Sequence, residues 1–234
     1  MTRLQGDGSF RAACGSVVDN VDLLIQATGY RQTFPFLPEH ATDARGDHVL
    51  PAERHVVDAE EPHLCFLGFA RPNVGAIPPI SEMQIMWWLR YVQGEVSLPL
   101  RTPSYRLLGT GSAKVATYGV DHGAYMHQLA EDIGAAPSLG FLAKVGGAKA
   151  FVGYTMGQAF TPWFRLVGPF ASAEQMEVAR TELFETVVRR GWLSNLMFFA
   201  IVVVFGALNG ACWVADLLCC AAGLELGAFP SGHL

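Results

Sequence analysis

Apolar and polar positions alternate with several different periods along this chain, and the changes of period divide it into segments. Val21 to Ala27 is apolar on both faces, as a strand inside a covered sheet is, and Gly8 to Val18 before it completes a hairpin turning at Asp19-Asn20. Phe34-Pro35-Phe36-Leu37-Pro38 holds two prolines too close for regular structure and is expected to be an apolar loop. The charged stretch from Pro38 to Pro62 reads as surface connection, with a short strand at His55 to Val57. A second short strand, His63 to Leu67, runs into the glycine-bearing loop Gly68 to Pro79.

Helical spacing then takes over. Ser81 with Gln84 forms a capping-box pattern, and Met83, Met86, Trp87 and Arg90 recur with helical period up to Gly94. Strand, loop and helix opening together make a place where backbone N–H groups face an electron-rich ligand. Asp121 to Ile133 is a second helix, with Tyr125, Met126, Leu129, Ala130 and Ile133 on one face and Gly134 ending it. Ser172 to Arg190 is a third, opened by Ser172 and Gln175 and closed by Arg189-Arg190-Gly191.

The longest apolar run, Leu196 to Ala215, carries Asn209 as its one strongly polar side chain. Twenty helical residues cover roughly 30 Å, the thickness of a bilayer's hydrocarbon core. Arg189 and Arg190 flank the run, and Trp192 and Trp213 lie toward its ends as interfacial anchors do. The run reads as a single terminal membrane anchor; a buried core helix, or a hydrophobic hairpin through Gly206 and Gly210, is the alternative. Adjacent Cys219-Cys220 are candidates for palmitoylation.

Composition narrows the function classes. The 234 residues are 51% hydrophobic and 16% charged, with a net charge of -5 and no cluster of basic residues, which argues against nucleic acid as a partner. Five cysteines without Cys-x-x-Cys spacing and seven scattered histidines favour neither a disulfide framework nor a metal site. Gly109-Thr110-Gly111-Ser112-Ala113-Lys114 lacks the ending of a phosphate loop and reads as a glycine turn. No pair of carboxylates and no Ser/His/Asp or Cys/His set stands out, so redox chemistry here would belong to a cofactor.

Four groups of motifs occur in one order. They are Ala27-Thr28-Gly29-Tyr30 with Phe34-Pro35-Phe36-Leu37; Phe66-Leu67-Gly68 with Gly75-Ala76-Ile77-Pro78-Pro79 and Glu82-Met83-Gln84; Tyr125-Met126 with Leu129-Ala130 and Ile133-Gly134; and Thr161-Pro162-Trp163-Phe164-Arg165-Leu166-Val167-Gly168-Pro169. Up to about Gly191 the chain resembles the carboxy-terminal part of the flavin-containing monooxygenases, which oxygenate amines and sulfides.

The resemblance implies an α/β fold: a partial FAD/NAD(P)-binding Rossmann-like domain over 1–95, a mainly helical part over 96–191, and the transmembrane helix and tail over 192–234. It implies FAD as cofactor, NADPH as reductant, molecular oxygen, and small-molecule amines or sulfides oxygenated at nitrogen or sulfur through a flavin hydroperoxide. The glycine-rich loops that grip the phosphates, and the fingerprint between them, are absent from this sequence. The chain is therefore expected to be a carboxy-terminal fragment, inactive alone and not holding FAD tightly. By the same analogy Thr28, Gly29 and Tyr30 lie where the two nucleotides meet, and Arg71, Asn73 and Gly75 line the isoalloxazine side. Many members carry glutamine where Arg71 stands. Arg165 is expected to pair within the fold, and Tyr125 and Met126 to lie in the core. A carboxy-terminal anchor in the endoplasmic reticulum membrane also follows from the likeness. A membrane-tethered, non-catalytic remnant that binds a partner is the alternative, and another two-dinucleotide flavin reductase is a third reading.

Overall fold

The structure is a computed structural model that describes residues 3–4, 9–11, 14–23, 25, 34–35, 52–58, 61–96, 100–105 and 118–221. Thr28, Gly29 and Tyr30, most of the loop after Phe34, and the Gly109–Lys114 turn lie outside the described residues.

The strands are short. β1 (Arg3–Leu4), β2 (Phe10–Arg11) and β3 (Val17–Val18) form an antiparallel ladder in which Phe10 pairs with Val18. β2 and β3 turn at Gly15, at φ +89°, inside the stretch expected to be the first strand of the hairpin, and Asp19 and Asn20 follow β3 outside any strand. The expectation of a buried strand from Val21 to Ala27 is corrected over its described part. Residues 21–23 and 25 join no strand, and Leu23 and Ile25 are 75% and 77% exposed. A strand apolar on both faces needs paired neighbours and a layer above and below, and the two-residue ladder of β1 to β3 offers neither. β4 (Ala52–Glu53) and β5 (Val57–Asp58) make a second hairpin, joined by Arg54 and His55 at positive φ, and Val57 bridges to Cys65.

β6 (Arg71–Pro72) and β7 (Gly119–Val120) pair in parallel. Each leads directly into a helix. From β6 the chain passes through residues 73–76 into α1 (Ile77–Val92), and from β7 it passes through Asp121 into α2 (His122–Asp132). Ile80, Met83, Gln84 and Trp87 recur at helical spacing on the buried stripe of α1, and Tyr125, Met126 and Leu129 on that of α2. α2 begins as its sequence indicates: Asp121 caps it by accepting from the Ala124 N–H at 2.9 Å, and Gly134 follows it at φ +66°.

The opening of α1 differs from the expectation. It starts at Ile77, four residues before Ser81, with Ala76 in the capping position and no side-chain cap. Pro78 and Pro79 fall in its first turn, where the N–H groups they lack would have no partner within the helix. That placement frees Gln84 from a capping role and puts it in the core.

One apolar core runs from Val56 to Ala179. It joins α1 and α2 to Leu142, Ala150, Trp163, Phe164 and Leu166, which belong to later elements. Those elements are α3 (Leu139–Phe141), a π-helical turn at Leu142–Gly146, α4 (Gly147–Met156), and a 3-10 segment at Thr161–Arg165. α5 (Ala173–Val178) continues through a second π-helical turn, Ala179–Leu183, into α6 (Phe184–Arg189). Arg180 ties the two π turns together by donating to the Gly146 and Val145 carbonyls. Arg165 pairs with Glu82 of α1 at 2.6 Å, the structural role expected of it, and Tyr125 and Met126 are fully buried.

Gly191, at φ +85°, turns the chain into α7 (Trp192–Ala221). Leu193, Leu196, Met197, Phe199, Val203, Val204, Phe205 and Leu208 are all exposed. The expected terminal transmembrane helix is not supported. Among the described residues no single helix is long and apolar enough to cross a membrane; residues 173–189 and Trp192–Leu208 reach that length and composition only as a pair bent by 96°.

Candidate functional site

In a parallel pair of strands, each followed by a helix, the strand carboxyl ends and helix openings converge on one crevice, where ligands of α/β proteins bind. β6 and β7 provide such a pair. Beyond their ends the chain from Arg71 to Pro78 stays at the surface, with Val74 72% exposed and Gly75 and Ala76 also open.

The crevice loop is held from below at three points. Asn73 donates its side-chain amide to Asp121 Oδ2 at 3.0 Å, and its Oδ1 accepts from Val74 N–H at 2.7 Å and His122 N–H at 3.2 Å. Its backbone N–H donates to the Val120 carbonyl, extending the parallel ladder by one bond. The Asn73 side chain is thus engaged with the opening of α2.

Gly75 is the second point. It sits at φ +145°, which an L side chain rarely adopts, and a β-carbon there would lie 2.5 Å from Cγ and Nδ1 of His122. The backbone thus passes directly over the imidazole, and glycine is required for both reasons. His122 is buried, with Nε2 2.9 Å from the Ala159 carbonyl. A carbonyl only accepts, so this contact assigns the proton to Nε2 and leaves Nδ1 as the acceptor. Nδ1 has no partner among the described residues.

The third point is Gly68, at φ +74°, whose N–H donates to Gln84 Oε1 at 2.9 Å. Gln84 Nε2 donates to the Tyr125 hydroxyl at 2.9 Å and to the His55 carbonyl at 3.3 Å, and Tyr125 donates to the Arg54 carbonyl. Burial holds the Tyr125 hydroxyl well above the usual tyrosine range, so it stays protonated and able to donate. Arg54 forms a two-pronged ion pair with Asp132 at 2.7 and 3.0 Å, and Trp87 Nε1 donates to the same carboxylate at 3.0 Å. Burial opposes the Arg54 charge, but the hydrogen bond and charge of Asp132 outweigh it and leave its pKa raised.

Of the sequence-derived site residues, the structure therefore brings Arg71, Asn73 and Gly75 together on one loop, with Arg71 exposed in β6. Thr28, Gly29 and Tyr30 lie outside the described residues. Asp121 and His122 were missed as partners of this loop. Gln84 carried a usable signal, an amide amid Met83, Met86 and Trp87 on an otherwise apolar stripe. At the helix opening the two prolines reduce what α1 offers: its first turn presents few N–H groups, and the available donors are the Gly75 and Ala76 amides, unpaired among the described residues.

Residues 9–190 match the family model described as flavin-binding monooxygenase-like. Monooxygenase PC-14 of Penicillium crustosum is 37% identical over 190 residues, 80% of this chain and 32% of that protein. Monooxygenase ptmN of Penicillium ochrochloron is 38% identical over 206 residues, 84% of this chain and 32% of its own length. Human flavin-containing monooxygenase 2 is 29% identical over 181 residues, 73% of this chain and 32% of the human protein. The chain thus spans about a third of the length of these relatives. With the family model covering most of its residues, the chain belongs to the flavin-binding monooxygenase-like family.

Proposed function

We propose that this chain forms one wall of the flavin site of a monooxygenase that uses FAD and NADPH to oxygenate soft nitrogen or sulfur centres of small molecules. The observation that carries the reading is the convergence of β6, β7 and the openings of α1 and α2 beneath an exposed loop. Bound FAD, reduced by NADPH, would supply the activation of oxygen and the transfer of one oxygen atom to the substrate. The chain's part is to bind and to shield. Gly75 and Ala76 would donate their N–H groups to the ring edge, Val74 and Ile77 would exclude water from it, and Arg71 would sit at the rim. Asn73, with Asp121 and His122, would hold the loop in place from below. By the resemblance, Thr28, Gly29 and Tyr30 would serve where the two nucleotides meet.

Photolabelling tests the reading directly. An azidoflavin irradiated with the full chain is expected to attach to the peptide containing Arg71 to Ile77, with excess FAD competing. Label confined to other peptides, or label that FAD does not displace, would refute it. Without its own phosphate loop the chain is expected to hold FAD weakly, because several charge-assisted hydrogen bonds of roughly 1.5–3 kcal/mol each are missing.

The exposed apolar side chains of α7 support a second part of the proposal, attachment to a membrane; the endoplasmic reticulum as its site follows from the resemblance alone. Arg190 lies over the Phe198 ring at 5.0 Å where this helix leaves the body, placing a cation at the base of the apolar stretch. Flotation with phosphatidylcholine vesicles is expected for the full chain and not for one ending at Gly191. Equal flotation of the two would exclude this role for α7.

A further inference from the structure

Gln84 is fully buried, and a buried amide is retained at a cost unless its partners are all in place. Leucine or methionine would fill the same stripe of α1 without that demand. The amide is fully engaged: one acceptor bond from Gly68 and two donor bonds, to Tyr125 and His55. The Gly68 contact differs from the other two in kind. Tyr125 belongs to the core and the His55 carbonyl to the β4–β5 hairpin, whereas Gly68 stands at the root of the exposed loop and holds a left-handed φ of +74°. Space at that root is also tight: a β-carbon on Gly68 would lie 3.3 Å from both the Ile77 side chain and Ser81 Oγ, so the turn is pressed against the first turns of α1.

We propose that Gln84 is a positioning residue for the crevice: its Oε1 fixes the Gly68 turn and thereby the direction in which the loop from Gly68 to Gly75 crosses the ends of β6 and β7. The loop is then held at two separated ends, by Gln84 at Gly68 and by the Asn73 and His122 contacts near Gly75. Between them the exposed backbone has one course. The purpose of this device rests on the flavin reading above; the tether itself does not.

Two variants of the full chain separate positioning from simple stability. Tyr125→Phe removes core hydrogen bonds and leaves the Gln84–Gly68 contact, whereas Gln84→Leu removes that contact. In Gln84→Leu, amide hydrogen exchange at Gly68 is expected to rise about tenfold more than at Leu129 and Ala130 in α2, the equivalent of about one buried hydrogen bond. In Tyr125→Phe the three amides should change together. A Gly68 rise in Gln84→Leu no larger than that in α2 overturns the proposal. Should Gln84→Leu fail to fold, Gln84→Glu serves, because it keeps an oxygen for Gly68 and loses at least one of the two donor bonds. Protection at Gly68 retained in Gln84→Glu supports the tether, and protection lost there alone overturns it. Riboflavin fluorescence quenching, followed on the same proteins, reads the flavin part: the wild type and Tyr125→Phe should quench alike, and Gln84→Leu about tenfold more weakly. Exchange as expected with no quenching by any of them supports the tether and counts against the flavin reading.

Discussion

α1 and α7 are both rich in large apolar side chains, yet one is the spine of the core and the other stands almost bare. The pattern of residues accounts for the difference. α1 confines Ile80, Met83, Met86 and Trp87 to a buried stripe and places Glu82 and Arg90 away from it, in ion pairs with Arg165 and Glu95. α7 is apolar all round, and a helix of that kind has no single face to offer a neighbour. Its attachment to the body is correspondingly local: Asn195 donates to the Val187 carbonyl at 2.7 Å, and Arg190 covers Phe198. Stability should thus be concentrated around α1 and α2 and nearly absent from α7.

The largest expected effect is at the buried ion pair. Asp132→Ala leaves Arg54 charged and unpaired among Trp87 and Tyr105, at a cost of roughly 3–5 kcal/mol in urea unfolding. Val203→Ala on α7 should change the same measurement by less than about 0.5 kcal/mol. Comparable losses from the two would erase the contrast between the helices.

Gly75→Ala comes next. The new methyl group meets the base of the His122 ring and the backbone is held at a disfavoured φ, so a loss of about 1–3 kcal/mol is expected. Combining it with His122→Ala removes the two ring contacts at 2.5 Å but leaves the β-carbon at 3.0 Å and the backbone strain. The pair should therefore lose less than the sum of the two single variants, and strict additivity would place His122 away from Gly75.

Ending the chain at Gly191 removes α7 entirely and should shift the urea midpoint only slightly, within about 0.5 kcal/mol. The smallest effect is confined to alkaline pH. Burial, helped by the negative charge of Glu131, pushes the Tyr154 hydroxyl up to about 12. From about pH 10 upward an unfolded tyrosine ionises while Tyr154 keeps its proton, so stability falls with rising pH through that window. Tyr154→Phe removes this share of the fall and should flatten the decline between pH 10 and 12, while changing little at pH 7, where the hydroxyl has no partner among the described residues. An unchanged slope would show that Tyr154 ionises freely in the folded state.

These regions were not equally legible in the sequence. α2 announced both its ends through Asp121 and Gly134, because caps are local chemistry that the neighbouring residues determine. The start of α1 was obscured by a competing local signal. Ser81 and Gln84 satisfy a capping pattern, while Pro78 and Pro79 fit a first helical turn equally well, and core packing decided for the prolines by claiming Gln84. The strands were the least legible: pairs two residues long carry almost no periodicity, and the β6–β7 pairing depends on partners far apart in the chain. Gly75 could be named from the sequence, but its reason could not. The His122 ring beneath it, and Asp121 beside Asn73, are tertiary neighbours that spacing does not disclose.

The separation of those neighbours governs when the crevice can come into being. Asn73 and Asp121 stand 48 residues apart, so a ribosome must release the second strand and the beginning of its helix before the first strand finds its companion. Until then the loop from Gly68 to Gly75 is tethered at one end only, by Gln84 at Gly68. The fixed course of the loop is therefore among the last features this region gains during synthesis, and a stalled nascent chain ending before Asp121 would carry β6 and its loop without the partners that hold them.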